Sequence, residues 1–427
     1  MCEIGILLRA GWCRDECFDR TKRNVRTVLM DTIDKKENSE IVTTNGVESA
    51  TQTFGILPPM PHPVRHPLRA IGWLVMLAAG LVSLVVILAV LAAIPVANFL
   101  VIGCMLEAEG RVARTGRLRE SVPLIGALPR LGGVALGIWL WLVVVRLIAG
   151  AAADAMLVDP LGGAAIGWQR AKVIVTAVVG CHILLALAAG GKFSAFFRPI
   201  RNARLFVKGI SSGGFWQKSS LALDNVLQAV QPGKLMKTGF LGCLGAAMWL
   251  ILPTVLFAAM RDTQHPAAVL LTLVGAVMLM GVLAWVPFLQ ARFAAEERFS
   301  AFRELSVVRE LFRKAPLIML VALVVLYGLS LPLYLFKVLV PPRDALWYIT
   351  PVFVMTIYPA RIIVGWATGY AMRCEKRQWL VIRIVAAVAI VPLMGLYLFF
   401  LFFMPAIGAL GRRVLFEHHA LLLPTPF

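Results

Sequence analysis

Residues 133–153 read GVALGIWLWLVVVRLIAGAAA, an apolar run in which Arg146 carries the only charge. A helix needs about 20 apolar residues to cross a hydrocarbon core of ~30 Å. Lipid offers the backbone no hydrogen bonds, so only a helix or a closed barrel satisfies its amide groups there. The run lacks the strict alternation of a barrel strand. It therefore predicts a transmembrane helix.

Similar runs lie on both sides of this one. We predict spans at 71–94, 133–153, 171–190, 238–260, 267–289, 316–340, 346–371 and 380–404. The expected fold is an all-α, polytopic integral membrane helix bundle, with about eight transmembrane helices and amphipathic surface helices on the cytoplasmic side. We divide the chain into a polar, disordered tail at 1–69, a transmembrane helical domain at 70–411 and a short C-terminal tail at 412–427.

The composition excludes a large soluble domain. Of the 427 residues, 59% are hydrophobic and 15% are charged, whereas soluble domains average about half apolar and a quarter charged. The formal net charge is +19. Because most basic residues flank apolar runs and no nucleic-acid recognition motif accompanies them, we expect anionic membrane lipids as partners rather than nucleic acid.

The loops predict an orientation. Segments 107–130, 191–237, 290–315 and 373–377 are rich in Lys and Arg, whereas 159–170, 261–266 and 341–345 are poor in them. The positive-inside rule places the basic segments in the cytoplasm, and we expect a bacterial cytoplasmic (inner) membrane. Residues 71–106 are too long for one helix and short for two, and Pro95 interrupts them. We expect the chain to return to the basic side there, with 96–106 re-entrant or interfacial.

Two basic segments have further patterns. Apolar residues of 299–314 recur every three to four positions, which predicts an amphipathic helix; it could lie on the bilayer surface or pack on neighbouring loops. The loop 191–237 contains aromatic residues mixed with basic ones. These bases could provide general adhesion to an anionic leaflet or recognise one lipid. The candidates for surface lipid contact are Arg198, Arg201, Arg204 and Lys208.

Two arginines lie inside apolar runs. Arg146 and Arg361 each head a stripe of small or polar residues at intervals of four, which indicates a face packed against other helices. An arginine near mid-membrane costs ~2.5–3.5 kcal/mol on insertion scales, and we assign Glu107 and Glu109 to the cytoplasmic side, away from both. We therefore treat Arg146 and Arg361 as candidates for binding an anion or lipid. The alternative is a structural role, with hydrogen bonds to carbonyls of broken helices.

The sequences around these arginines are alike, with RLIAGAAAD at 146–154 and RIIVGWATG at 361–369. The match could reflect an inverted repeat or chance in a chain rich in Ala, Val and Leu. A lone histidine in a span, His182, is expected to bond a carbonyl rather than relay protons, because acids are scarce in the neighbouring spans.

Two functions are compatible with the sequence. The first is a permease-like or lipid-handling protein whose interior arginines face an anionic group. The alternative is a non-catalytic membrane scaffold whose basic loops dock partners or anionic lipid. An enzyme is disfavoured, because no catalytic motif has the context it needs. We expect no metal and no cofactor, since the seven cysteines are scattered without metal-ligand spacing.

Overall fold

The structure, a computed structural model, describes residues 61–62, 64–122, 125–211, 224, 227–228, 230–259, 266–338, 348–407 and 411–422. Within this part of the chain it is an all-α bundle, which confirms the predicted class. The N-terminal tail predicted to be disordered lies almost entirely outside the described residues.

Eleven helices form the described part of the chain. They are α1 (Pro67–Ala93), α2 (Asn98–Thr115), α3 (Leu128–Val158), α4 (Gly163–Ala188), α5 (Pro199–Ser211), α6 (Pro232–Phe257), α7 (Pro266–Glu296), α8 (Leu305–Lys314), α9 (Pro316–Val338), α10 (Ile349–Arg373) and α11 (Leu380–Ile407). Eight of them, all but α2, α5 and α8, are long and apolar enough to cross a membrane. They coincide with the eight predicted spans, so the chain is a multi-pass membrane protein.

Several helices begin or end at one common end of the bundle. Lys234 at the start of α6 lies 3.7 Å from Glu107 of α2. Arg114 of α2 donates to the carbonyl of Ala294 of α7 at 3.0 Å. We call this the basic end, defined by Arg114, Lys234, Arg298, Arg373 and Arg377. It brings together basic segments that the sequence predicted to share one side.

Helix α2 corrects the expectation for residues 96–106. Residues 98–106 form the first half of an 18-residue helix that packs in the interior of the bundle, between α6, α7 and α10. After the short connection 94–97, α2 runs back along α1 to the basic end, as predicted for the return. Because its apolar residues face protein on all sides, α2 needs fewer of them than a helix that faces lipid.

Two helical hairpins share an internal repeat that was not among the predictions from the sequence. Residues 192–208 read KFSAFFRPIRNARLFVK and residues 298–314 read RFSAFRELSVVRELFRK. Each FSAF segment forms a 3₁₀ turn, Phe193–Phe197 or Phe299–Arg303, followed by an amphipathic helix, α5 or α8. The turns and the helices that follow them are 106 residues apart in the two copies. The match between 146–154 and 361–369 has a different spacing and does not belong to this repeat.

Both turns are held by the same contacts. Trp141 of α3 donates to the carbonyl of Phe196 at 2.9 Å, and Trp249 of α6 donates to that of Phe302 at 3.0 Å. Four residues before each tryptophan, Gly137 and Gly245 leave room for the ring of the same phenylalanine. We call Gly137, Trp141 and Phe193–Phe197 the outer joint, and Gly245, Trp249 and Phe299–Arg303 the inner joint.

The amphipathic helix predicted in 299–314 is found as α8, which begins after the 3₁₀ turn at Leu305. Its apolar residues Val308 and Leu311 are buried in the main hydrophobic cluster, and Phe312 meets Phe288 edge-on at 5.2 Å. The apolar side of α8 therefore packs on long helices of the bundle, whereas the second predicted arrangement had it packed on neighbouring loops.

Candidate functional site

Arg361 lies in the middle of α10 with 3% of its surface exposed. Its Nη1 donates to Oε2 of Glu109 on α2 at 3.1 Å, and its Nη2 donates to Oε1 of Gln290 on α7 at 3.2 Å. Glu109 and Gln290 are completely buried. The site is therefore an ion pair and an amide enclosed by three helices.

The glycine stripe below Arg361 brings the ion pair together. A side chain on Gly365 would collide with the carbonyl of Glu109, and one on Gly369 with that of Ala113. Small residues at this spacing let two helices approach closely. The predicted packing of the Arg361 stripe against another helix is confirmed, and the prediction that Arg361 has no acidic partner is wrong. Glu109 reaches it because α2 is an interior helix rather than a cytoplasmic loop.

The C-terminal segment completes the site. After α11, residues Gly411–Phe416 form a 3₁₀ turn, and residues 417–421 are buried within the bundle. Arg361 Nη2 donates to the carbonyls of Ala420 and Leu421 at 3.1 and 3.2 Å. Gln290 Nε2 donates to the carbonyls of Leu421 and Gly242 at 3.1 and 3.0 Å. The C-terminal segment is thus bonded both to Arg361 of the ion pair and to Gln290, which itself bonds Arg361.

Other polar contacts anchor this segment. The Tyr334 hydroxyl donates to the carbonyl of Glu417 at 2.8 Å and lies 2.6 Å from that of Tyr397. Nε2 of His418 lies 3.0 Å from Oγ1 of Thr254. Buried polar groups cost free energy unless they are hydrogen-bonded. These bonds satisfy the carbonyl of Glu417 and one ring nitrogen of His418 inside the bundle.

Two atoms of the ion pair are left without hydrogen bonds. Nε of Arg361 and Oε1 of Glu109 are buried and have no partner in the described part of the chain. Leaving a buried donor or acceptor unsatisfied costs roughly 1–3 kcal/mol. The guanidinium of Arg361 therefore has one N–H donor, Nε, to spare, and its Nη2 is bonded only to uncharged oxygens.

Arg146 does not join this site. It is exposed on the outer surface of α3, and a side chain built on Gly150 would have no neighbour within 4 Å. The prediction that the Arg146 stripe packs on other helices is wrong. Helix α3 uses a different face for its contacts, the one that carries Gly137 and Trp141. The structure therefore brings only one of the two predicted arginines into the interior.

The four surface candidates lie together at the start of and along α5. Arg198, Arg201, Arg204 and Lys208 are all exposed. The lone histidine His182 is buried, and its Nε2 lies 2.8 Å from the carbonyl of Phe196. The histidine thus bonds a carbonyl, as predicted, and this carbonyl belongs to the outer joint.

Sequence reasoning missed Glu109, Gln290 and the C-terminal segment. Glu109 and Gln290 are polar residues at the edges of apolar runs, and this position also suits residues at a membrane surface. In the described residues, no group of three or more His, Cys, Asp or Glu side chains could hold a metal ion. The chain matches no family model, no curated protein and no solved structure.

Proposed function

We propose that the chain is a permease-like membrane protein in which Arg361 binds an anionic group. The observation that carries this proposal is the buried contact of Arg361 with Glu109 and with the C-terminal segment. Charged residues inside a membrane are costly, and those that are kept there commonly mark a substrate or ion pathway. We place the protein in a bacterial cytoplasmic membrane with its basic end in the cytoplasm, as the positive-inside rule favours.

The C-terminal segment acts as a plug in this proposal. In the closed state its carbonyls at Ala420 and Leu421 accept hydrogen bonds from Arg361. Carboxylate or phosphate oxygens accept bonds from a guanidinium more strongly, because both partners are charged. When the segment leaves, the anion would take the place of these carbonyls and also reach Nε of Arg361, which has no partner in the described residues.

Transport assays in liposomes test the proposal with the full-length chain. Radiolabelled inorganic phosphate reports solute movement, and fluorescent phosphatidylglycerol reports lipid movement between leaflets. Deletion of residues 411–427 should raise the rate for one probe by about tenfold, since the plug competes for the same donors. Arg361→Gln combined with Glu109→Gln should abolish transport while leaving no unpaired buried charge.

Arg146→Gln is the matched control, because it removes an exposed arginine from a helix that does not line the site. Its transport rate should equal that of the unmodified chain. If neither probe crosses faster than in protein-free liposomes, with or without residues 411–427, the permease proposal is wrong.

The second candidate function is a membrane scaffold. It is favoured by the four exposed bases Arg198, Arg201, Arg204 and Lys208, which could dock an anionic leaflet or an acidic partner. A scaffold requires neither Arg361 nor removal of the plug. This candidate would be favoured if the liposomes show no transport and if removing the charges of α5 abolishes recruitment of a partner to the membrane.

A further inference from the structure

A cavity of about 490 Å³ opens on the lipid-facing side of the bundle, between α7, α8 and α11. Its lining is mostly apolar, and its volume lies within the range of ~300–1,000 Å³ typical of ligand pockets. It shares no residue with the site around Arg361. We call this cavity the trough.

Three arginines line the trough near the basic end: Arg309 and Arg313 of α8 and Arg383 of α11. Arg309 stacks on the Trp285 ring, with its guanidinium carbon 5.2 Å from the ring centroid. The side chain of Arg383 has no hydrogen bond or ion pair with any described residue. Guanidinium groups are suited to bidentate recognition of phosphate oxygens.

The nearby carboxylate does not neutralise this group of arginines. Glu310 accepts two bonds from Arg377, at 2.6 and 3.0 Å, and a weaker one from Arg313 at 3.3 Å. Hydrogen bonds from Arg377 keep the pKa of Glu310 below its ordinary value, so the group is ionised and already paired. Three guanidinium groups therefore face the trough, against one carboxylate that is shared with a fourth arginine.

The floor of the trough follows one face of α11 away from the basic end. Arg383, Ala387, Val391 and Met394 recur at intervals of three or four residues along this face. From Leu380 to Met394 the helix rises about 21 Å at ~1.5 Å per residue. One leaflet of a hydrocarbon core of ~30 Å is about 15 Å thick. The trough is therefore long enough to hold an acyl chain along its leaflet.

We propose that the trough is a specific binding site for one anionic phospholipid. The phosphate lies among Arg309, Arg313 and Arg383, and an acyl chain lies along Ala387 and Val391 of α11. General attraction of bases to an anionic surface needs no cavity and is weakened by salt, whereas this site adds a matching apolar groove. The inference is independent of any transport at Arg361.

Lipid binding to the purified full-length protein tests the inference. Phosphatidylglycerol and phosphatidylcholine with identical acyl chains are added in detergent, and bound lipid per protein is measured by mass spectrometry after gel filtration. We expect about tenfold tighter binding of phosphatidylglycerol, which corresponds to about one charge-assisted contact. The double variant Arg309→Gln with Arg383→Gln should lose this preference.

Two further variants separate the parts of the site. Ala387→Trp fills the groove at an exposed position and should reduce binding of both lipids. Arg65→Gln with Arg69→Gln removes the same charge from two exposed positions at the start of α1 and should leave binding unchanged. The inference is overturned if the two charge variants lose phosphatidylglycerol equally, if the two lipids bind equally, or if short-chain phosphatidylglycerol or inorganic phosphate binds as tightly as the long-chain lipid.

Discussion

The outer and inner joints are built from the same parts in different surroundings. Each has a glycine and a tryptophan four residues apart, a 3₁₀ turn of sequence FSAF and a following amphipathic helix. Around the outer joint, α3 and α4 bury 6% and 17% of their most apolar stretches. Around the inner joint, α6 and α7 each bury 39%. The joint alone therefore does not decide whether a hairpin becomes part of the core.

The two copies differ in a polar residue at one aligned position. In the register of the repeat, Gln290 of α7 aligns with Leu184 of α4, which is 67% exposed. Gln290 instead bonds Arg361, the carbonyl of Gly242 and the C-terminal segment. Apolar contacts between helices give little net stabilisation in lipid, whereas close packing and interhelical hydrogen bonds favour association. The comparison suggests that the joint closes each hairpin locally and that the polar network assembles the core around one of them.

The largest effect should follow from removing the arginine of the network. Arg361→Ala leaves Glu109 as an unpaired buried charge, which costs about 3–5 kcal/mol. Arg146→Ala removes an exposed side chain and should change the free energy of unfolding by less than about 0.5 kcal/mol. Thermal unfolding in detergent and the folded yield on gel filtration measure both. Similar losses from the two variants would contradict the assignment of Arg361 to the core.

The double variant Glu109→Gln with Arg361→Gln serves as the control for this experiment. It replaces the ion pair by two amides and should recover most of the lost stability, because no buried charge remains. If the double variant is as unstable as Arg361→Ala, the loss comes from packing rather than from charge.

The spans could be predicted from the sequence because each is a continuous apolar run, and their predicted boundaries lie within eight residues of those of the structure. Helix α2 could not, since Glu107, Glu109 and Arg111 give it the composition of a surface segment. Its burial depends on partners far away in sequence. Arg361 was found as a candidate because it is a charge in an apolar run, but the same signal selected Arg146, which lies on the outside. A single sequence does not distinguish an interior helix face from a lipid-facing one.

The C-terminal segment was also beyond prediction. The sequence FEHHALLL at 416–423 is short and mixed in polarity, so its own residues indicate neither a span nor a core. Its place inside the bundle depends on Arg361, Gln290 and Tyr334, which supply donors for its carbonyls. Only three-dimensional proximity of these residues reveals the site.

A smaller loss of stability is expected when a methyl group is added to the glycine of each joint. Gly245→Ala forces a methyl group onto the Phe302 ring, which is fixed inside the main hydrophobic cluster, and should cost about 2–3 kcal/mol. Gly137→Ala meets the Phe196 ring in the same way. It should cost only about 1 kcal/mol, since α3 and α4 face lipid and can move apart. Unfolding in denaturant measures both, and a larger loss at Gly137 would reverse the ranking of the joints.

Loss of the tryptophan hydrogen bond should likewise cost more stability at the inner joint than at the outer joint. Trp249→Phe leaves the Phe302 carbonyl without a side-chain donor among the described residues and should cost about 1–2 kcal/mol. Trp141→Phe should cost about 0.5 kcal/mol, because His182 still bonds the Phe196 carbonyl at 2.8 Å. Adding His182→Leu to Trp141→Phe should bring the outer joint to the cost of the inner one. If the losses of stability from Trp141→Phe and His182→Leu simply add, the two donors do not substitute for each other.

The smallest effect concerns the helices that follow the joints. Glu310 of α8 aligns with Arg204 of α5. Glu310 has ion pairs with Arg377 and, at a longer distance, with Arg313, whereas Arg204 has none with a described residue. Hydrogen bonds from Arg377 lower the pKa of Glu310 from its ordinary value of 4.5. The pair therefore adds stability above pH 4.5, and this contribution is lost as the pH falls through the lowered pKa. Glu310→Gln should lower the Tm slightly at pH 7 and by less at pH 3, whereas Arg204→Gln should have no effect at either pH. If Glu310→Gln shifts the Tm equally at both pH values, the side chain acts through packing. The charge difference between α5 and α8 then has no effect on stability.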